Sequence, residues 1–361
     1  MTLTIVAIAT LRGRDARAAH QSARPHHIFI LLLENEGYDT TLGANADRHS
    51  YLAHALRNQG ELLSDYYAIG HFSLDNYIAL ISGQAPNVET QEDCAWFNEF
   101  AESDVSRPLD SSGQFVGNGC VYPPKVLTLV NQLAAQGLTW RGYMEDMKRP
   151  CQHPAKNAHD PDFRAQGEHA QYATRHNPFV YFHAIIDDAA ACGQHVVPLT
   201  QLDKDLSSIA TTPNFVFITP NLCDDGHDGS GRFCEGGHLI SADRFLRAWV
   251  PKILAAPAYR QDGMLIITFD EADQQDGSSC CNEPSGPNVS QPGLAGPGDR
   301  SGGGHIGTLI ISPYVRPGST DARPYDHYSL LRGLEDIFGL KEHLGYAKTA
   351  TSFDTVFNAK P

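Results

Sequence analysis

No Cys-x-x-Cys spacing occurs in this 361-residue chain, which removes zinc-ribbon sites from consideration. No basic run occurs either. Lys and Arg number 27 against 42 Asp and Glu, a formal net charge of −15. An acidic surface of that size repels an anionic polymer, so a nucleic-acid partner is excluded. A small phosphate ester is not excluded, because a local positive centre such as a metal ion can capture it. No apolar run is long enough to span a membrane. There is no Gly-x-Ser-x-Gly nucleophile elbow. The run "SGGGH" at 301–305 lacks the Lys-Ser/Thr ending of a P-loop and precedes a strand pattern, so it is not one. Internal repeats are absent as well.

Cysteine, by contrast, is present in an even number, eight. That count suits a disulfide framework in an oxidising compartment. Cys223 with Cys234 and Cys151 with Cys192 read as local loop closures, whereas adjacent Cys280 and Cys281 would form a strained ring if bridged. The first 25 residues carry a short apolar piece, Leu3 to Leu11, and an "ARA" at 16–18. They read as a signal peptide with a clipped start, or as a disordered tail. Export, to the medium or the periplasm, is therefore expected.

Strand-like and helix-like segments alternate. "HIFILLL" (27–33), "NFVFITPN" (214–221), "MLIITFDE" (264–271) and "GTLIISPYV" (307–315) are nearly continuous apolar runs, as expected of strands buried on both faces. "ADRHSYLAHALRNQG", "SADRFLRAWVPKILAA" and "YDHYSLLRGLEDIFGL" carry helical spacing. This alternation predicts a three-layer α/β/α fold with a mostly parallel central sheet. Residues 26–345 read as one catalytic domain and 346–361 as a C-terminal tail. Two irregular stretches, 84–122 and 277–304, read as insertions around a single site, because helix and strand patterns resume after each.

Open α/β sheets bind ligands at the carboxyl ends of their strands. Glu34 and Asn35 follow the first run. Asp224, Asp225, His227 and Asp228 follow the second, and Asp270 and Glu271 the third. His305 stands just before the fourth. An acid after a strand is commonly a mere turn or cap residue; here the pattern recurs after several strands. Carboxylates and an amide oxygen are hard ligands suited to Mg²⁺, Ca²⁺ or Mn²⁺, and imidazoles add Zn²⁺ or Fe. Phosphate-ester hydrolysis needs positive charge on the phosphoryl oxygens, an activated nucleophile and a proton for the leaving oxygen. Glu34, Asn35, Asp270 and Glu271 suit the first need. His227 and His305 suit phosphoryl contact or proton supply.

The stretch "GHFSLDNYIALISG" (70–83) offers the nucleophile. Leu74, Tyr77, Ile78 and Ile81 have helical spacing and Gly83 closes the segment, so Ser73 sits at a helix N-terminus. Position alone favours a plain N-cap. A helix N-terminus also favours an alkoxide or a bound phosphate, so the two roles are compatible.

Taken in order, "LLLENEGYD", "HFSLDNYIALISG", "TPNLCDDGHDG", "TFDEAD", "GGGHIGTLIISPYVRPG" and "YDHYSLLRGLEDIFGL" resemble the phosphoesterase family of secreted acid phosphatases and non-hemolytic-type phospholipases C, in the alkaline-phosphatase-like superfamily. The resemblance runs from about residue 26 to about residue 340. It implies that Ser73 becomes transiently phosphorylated and that Glu34, Asn35, Ser73, Asp270 and Glu271 surround one divalent cation. It also implies that His227 and His305 contact phosphate or a second metal. Asn76 and, from "YATRHNPFVYF", His176 are the implied substrate contacts; for His176 a structural role before Asn-Pro is the plain alternative. Two-metal members often carry His where Glu271 stands, which favours one metal here. Asp75 departs from the less charged residue that many relatives carry. The expected activity is hydrolysis of phosphomonoesters, phosphoinositides included, through a phosphoserine. Alternatives are a phospholipase C acting on diesters, or a secreted binding protein without turnover.

Overall fold

The computed structural model describes residues 24–103, 109–164, 167, 170–227, 234, 236–282, 284–290 and 302–353. The leader or tail expected over 1–25 lies outside them apart from its last two residues, and so does Asp228.

Among the described residues ten strands follow one another: β1 (His27–Leu33), β2 (Glu61–Tyr67), β3 (Ala101–Glu102), β4 (Gly117–Asn118), β5 (Trp140–Met144), β6 (Val196–Pro198), β7 (Phe215–Thr219), β8 (Gly263–Phe269), β9 (His305–Ile311) and β10 (Thr320–Asp326). Eight of them form one sheet in the order β10-β2-β9-β8-β1-β7-β5-β6, while β3 and β4 make a separate ribbon. β1 pairs in parallel with β7 and β8, and β5 with β6 and β7; β9 runs antiparallel to both β8 and β2. Every residue of β1 and β8 is buried, so helices cover both faces of the sheet centre. The helices Ser73–Ser82, Leu129–Ala135 and His327–Phe338 pack on one another, and Pro257–Asp262 packs on β1 and β8. The α/β/α layering expected from the alternation is the observed one.

One helical and one strand expectation change. The 46–60 pattern forms a π-helical turn, Tyr51–Leu56, and a 3₁₀ turn, Arg57–Gln59, started by Ser50 Oγ accepting from the Ala53 N–H at 3.2 Å. The strand expected over 307–315 begins two residues earlier and stops before Pro313, which has no N–H for a ladder. The C-terminal boundary also moves. Residues 346–353 are not a free tail, because Phe353 is buried against Gly333, where a Cβ would lie 2.1 Å from its ring. No helix among the described residues is long and apolar enough to cross a membrane.

Four disulfides are formed: Cys94–Cys120, Cys151–Cys192, Cys223–Cys234 and the adjacent pair Cys280–Cys281. The two pairings expected as loop closures are among them. The first staples the 84–122 insertion.

Gly83 ends the Ser73–Ser82 helix in the left-handed region at φ 67°. A Cβ there would meet the Leu344 carbonyl oxygen at 2.4 Å. Backbone strain and backbone clash act together, so Gly83→Ala is expected to lower unfolding free energy by roughly 1–3 kcal/mol. Urea denaturation reads this directly; an unchanged midpoint would show that the 344 segment gives way freely.

Candidate active site

The carboxyl edge of the sheet is built by its strand directions. β1 and β8 run parallel with Leu33 opposite Phe269, so Glu34–Asn35 and Asp270–Glu271 emerge side by side. Because β9 runs the other way, its first residue, His305, arrives at the same edge opposite Tyr67. The loop after β2 delivers the Ser73–Ser82 helix over this edge.

Phe72, extended at φ −168° and ψ 134°, is the N-cap of that helix, and its side chain caps nothing. Ser73 is the first helical residue. The cap comes from another loop: Asp93 Oδ1 accepts from the Leu74 N–H at 3.0 Å. Ser73, one residue past the cap position, donates its hydroxyl to Glu34 Oε2 at 2.7 Å. One turn on, the Tyr77 hydroxyl donates to the other oxygen, Oε1, at 2.5 Å. Tyr77 stacks on His176 with centroids 5.6 Å apart, and His176 Nε2 lies 3.3 Å from Glu34 Oε2 without hydrogen-bond alignment.

Asp270 is held from several sides. Its Oδ1 accepts from the Asn35 and Glu271 backbone N–H groups at 2.9 and 2.7 Å. Its carbonyl accepts from Nε2 of buried His327 at 2.6 Å. Burial pushes the His327 pKa down to about 4, so this imidazole is neutral, with Nδ1 facing the Tyr66 hydroxyl at 3.1 Å. Glu271 accepts from Asn35 Nδ2 through Oε1 at 2.5 Å, and its Oε2 lies 2.8 Å from His71 Nδ1.

Burial and like charge dominate the electrostatics. Glu34 is held well above the usual carboxylate range, first by burial and then by Asp270 and Asp225. Glu271 is likewise raised, by burial and by Asp270. Asp75 is raised by burial and by Glu271, and neither of its carboxyl oxygens has a hydrogen-bond partner. Asp270 is raised by burial, against several hydrogen bonds that lower it. His176 is pushed down, by burial, then by the charges of Arg175 and His227. Asn35 Oδ1 and Asp270 Oδ2 are buried without partners. Unpartnered buried oxygens among crowded carboxyl groups are the donor set of a hard divalent cation, so these residues fit one. Glu34, Asn35, Ser73, Asp270 and Glu271 would hold it.

Not every expected residue joins them. Asn76 is fully buried, and its amide is spent on the backbone: Oδ1 accepts from Ile69 and Gly70 N–H at 2.8 and 3.2 Å, and Nδ2 donates to the Gly70 and Phe72 carbonyls at 2.8 and 3.1 Å. It clamps the loop before Ser73, in place of the substrate contact expected of it. His305 is sandwiched between Tyr38 and Tyr67 at 4.6 and 4.9 Å, with Nε2 against the Ser64 carbonyl at 2.7 Å. That imidazole packs neighbouring strands together and points Nε2 at backbone. His227 is exposed, with its backbone N–H on Asp225 Oδ1 at 2.9 Å. His176 stands nearer to Ser73's partner than either. Tyr77, His327, Asp93 and His71 were not singled out from the sequence. Tyr77 and His71 lie inside the nucleophile segment, which was the available signal for them.

A model of the phosphoesterase family matches residues 47–341, most of the chain. The chain belongs to the phosphoesterase family. It is 27% identical over 285 residues to a phosphate-repressible acid phosphatase of Penicillium chrysogenum, covering 79% of this chain but 53% of the fungal protein. It therefore spans about half the length of that relative. It is 24% identical over 327 residues to a phosphatidylinositol-3-phosphatase of Mycobacterium tuberculosis, covering 90% of this chain and 80% of that one. Among solved structures a 2-O GAG sulfatase superposes with a TM-score of 0.51 at 11% identity, over 93% of this chain and 75% of the sulfatase. That likeness is one of fold.

A phosphoesterase holding crowded carboxyl groups should depend on pH and cation together. The raised carboxyl groups bind protons more tightly folded than unfolded, so in cation-free protein their stability contribution is full below about pH 4 and is lost as pH rises through their raised values. A cation bound by the ionised form offsets that loss, by about 2.7 kcal/mol at roughly a hundred times its Kd. Melting curves with and without chelator should therefore coincide near pH 4.5 and separate by pH 7. Coincidence at both would remove the cation from the site.

Proposed function

We propose that this phosphoesterase is an exported phosphomonoester hydrolase that works through a phosphoserine at Ser73. The observation that carries the reading is the Ser73 hydroxyl, at the first helical position and directed at Glu34 Oε2 at 2.7 Å. A mere cap would direct its oxygen at the backbone.

A divalent cation held by Glu34, Asn35, Ser73, Asp270 and Glu271 would neutralise phosphoryl charge and lower the pKa of the hydroxyl. The chain's own groups do the rest. Ser73 Oγ gives its proton towards Glu34 as the Oγ–P bond forms and the bond from phosphorus to the leaving oxygen breaks. The field of the helix N-terminus favours the negative charge that gathers there. Tyr77 keeps Glu34 turned towards Ser73. His227, exposed beside the site, is the imidazole assigned to proton delivery at the leaving oxygen, while His176, which burial keeps neutral, packs against Tyr77 beside Glu34. Water then attacks phosphorus, inorganic phosphate leaves, and Ser73 regains its proton.

Phosphoinositides are the favoured natural substrate class. The mycobacterial relative supports this, because the match spans most of both chains. Four disulfides support an oxidising compartment, either the medium or the periplasm.

Ser73→Ala removes one hydroxyl and one hydrogen bond, so the melting temperature should change little while kcat on p-nitrophenyl phosphate falls on the order of 10³-fold or more. Retained turnover would reject Ser73 as the nucleophile. The wild-type chain should prefer this monoester to p-nitrophenyl phosphorylcholine; the reverse preference would make it a phospholipase C.

A further inference from the structure

The mechanism above leaves unused a buried imidazole that touches the site, His71. His71 lies two residues before Ser73 and is 3% exposed. Its Nδ1 is 2.8 Å from Glu271 Oε2, and its Nε2 is 2.7 Å from the Asp276 carbonyl oxygen. A carboxylate that holds a cation only accepts, so the Nδ1 bond is one that the ring donates.

These two bonds join three segments. The first is the loop carrying His71, which the Asn76 amide clamps at Ile69, Gly70 and Phe72. The second is Glu271, whose other oxygen is already taken by Asn35 Nδ2. The third is the turn at Asp276, whose carboxylate accepts from the His305 N–H at 3.0 Å and from Ser278 N–H and Oγ at 2.9 and 2.6 Å. Glu271 thus has one hydrogen bond fixing each oxygen, and one of them comes from the nucleophile's own segment.

We infer that His71 is a positioning residue that sets the orientation of Glu271 relative to Ser73, acting through its Nδ1 bond. This rests on the reading of Glu271 as a cation-holding group. Outer partners of ligating carboxylates change cation affinity by about 10–100-fold when removed. A residue that only pinned the Asp276 turn would act through Nε2 and leave that affinity alone.

The two nitrogens can be separated by substitution. Asn places an amide N–H near the Nδ1 position and loses the Nε2 bond; Gln places one near Nε2 and loses the Nδ1 bond. Mn²⁺ affinity is measured on chelator-stripped full-length protein by following the free-ion EPR signal, beside kcat and KM on p-nitrophenyl phosphate. His71→Asn should stay within about threefold of wild type in Mn²⁺ affinity. His71→Gln should bind Mn²⁺ about 10–100-fold more weakly, with a lower kcat and a KM within about threefold of wild type at saturating Mn²⁺. Wild-type affinity in His71→Gln, or equal losses in both variants, would overturn the assignment. Should His71→Gln not fold, His71→Asn still decides, since a tenfold or greater loss there also overturns it. A wild-type chain that binds no Mn²⁺ overturns the cation reading beneath it instead.

Discussion

The crowding of Glu34, Asp225, Asp270, Glu271 and Asp75 at one buried edge is the constraint on which the site depends. Carboxyl groups withdrawn from water raise one another's proton affinity, and no nearby lysine balances them among the described residues. Such a cluster persists only where the fold over-determines it. Here the determination is visible. Asp270 is fixed by two N–H groups and, through its carbonyl, by His327. Glu34 is fixed by two hydroxyls, and Glu271 by an amide and an imidazole. The surrounding core supplies the free energy that this arrangement costs, because β1 and β8 are buried along their whole length.

The 84–122 insertion matters to the chemistry through one residue. Asp93 sits one position before Cys94, which the disulfide to Cys120 anchors. Its carboxylate takes the Leu74 N–H, an orphan donor of the first turn that Phe72, in the cap position, has no side-chain acceptor to satisfy. Without that remote cap, the Leu74 N–H beside Ser73 would lose this partner. The insertion therefore reads as part of the nucleophile's environment more than as surface decoration.

The centre of the fold was legible because its strands need to be. β1, β7, β8 and β9 lie in the sheet interior, where both faces are covered, and near-continuous apolar runs follow from that. β2 and β10 lie towards the edge, with polar positions and, in β10, Pro324, so they carried no such run. Glu34, Asn35, Asp270 and Glu271 were legible by the same logic, as polar residues that end buried strands. Asn76 and His305 were hard to read because an amide or imidazole near a site can serve ligand or backbone equally well. Which it serves depends on carbonyls and N–H groups that only the tertiary fold brings up. His327 was hidden for the same reason, since its partner is the main chain of Asp270, 57 residues away.

Ser73 shows how a local rule and a functional role part company. Sequence alone placed a serine at a helix start, where its oxygen ordinarily accepts from the backbone two or three residues on. The helix does begin there, but Phe72 holds the cap position with an extended backbone and a side chain that cannot cap. A serine one residue inside the helix keeps the favourable field of the N-terminus while its hydroxyl stays free to donate. The same displacement puts Tyr77 on the face of Ser73, so one turn of helix presents both hydroxyls to the two oxygens of Glu34. A shift of a single residue in the helix start would turn one of them away, and Glu34 would then face its neighbouring carboxylates with half its hydrogen bonds unmade.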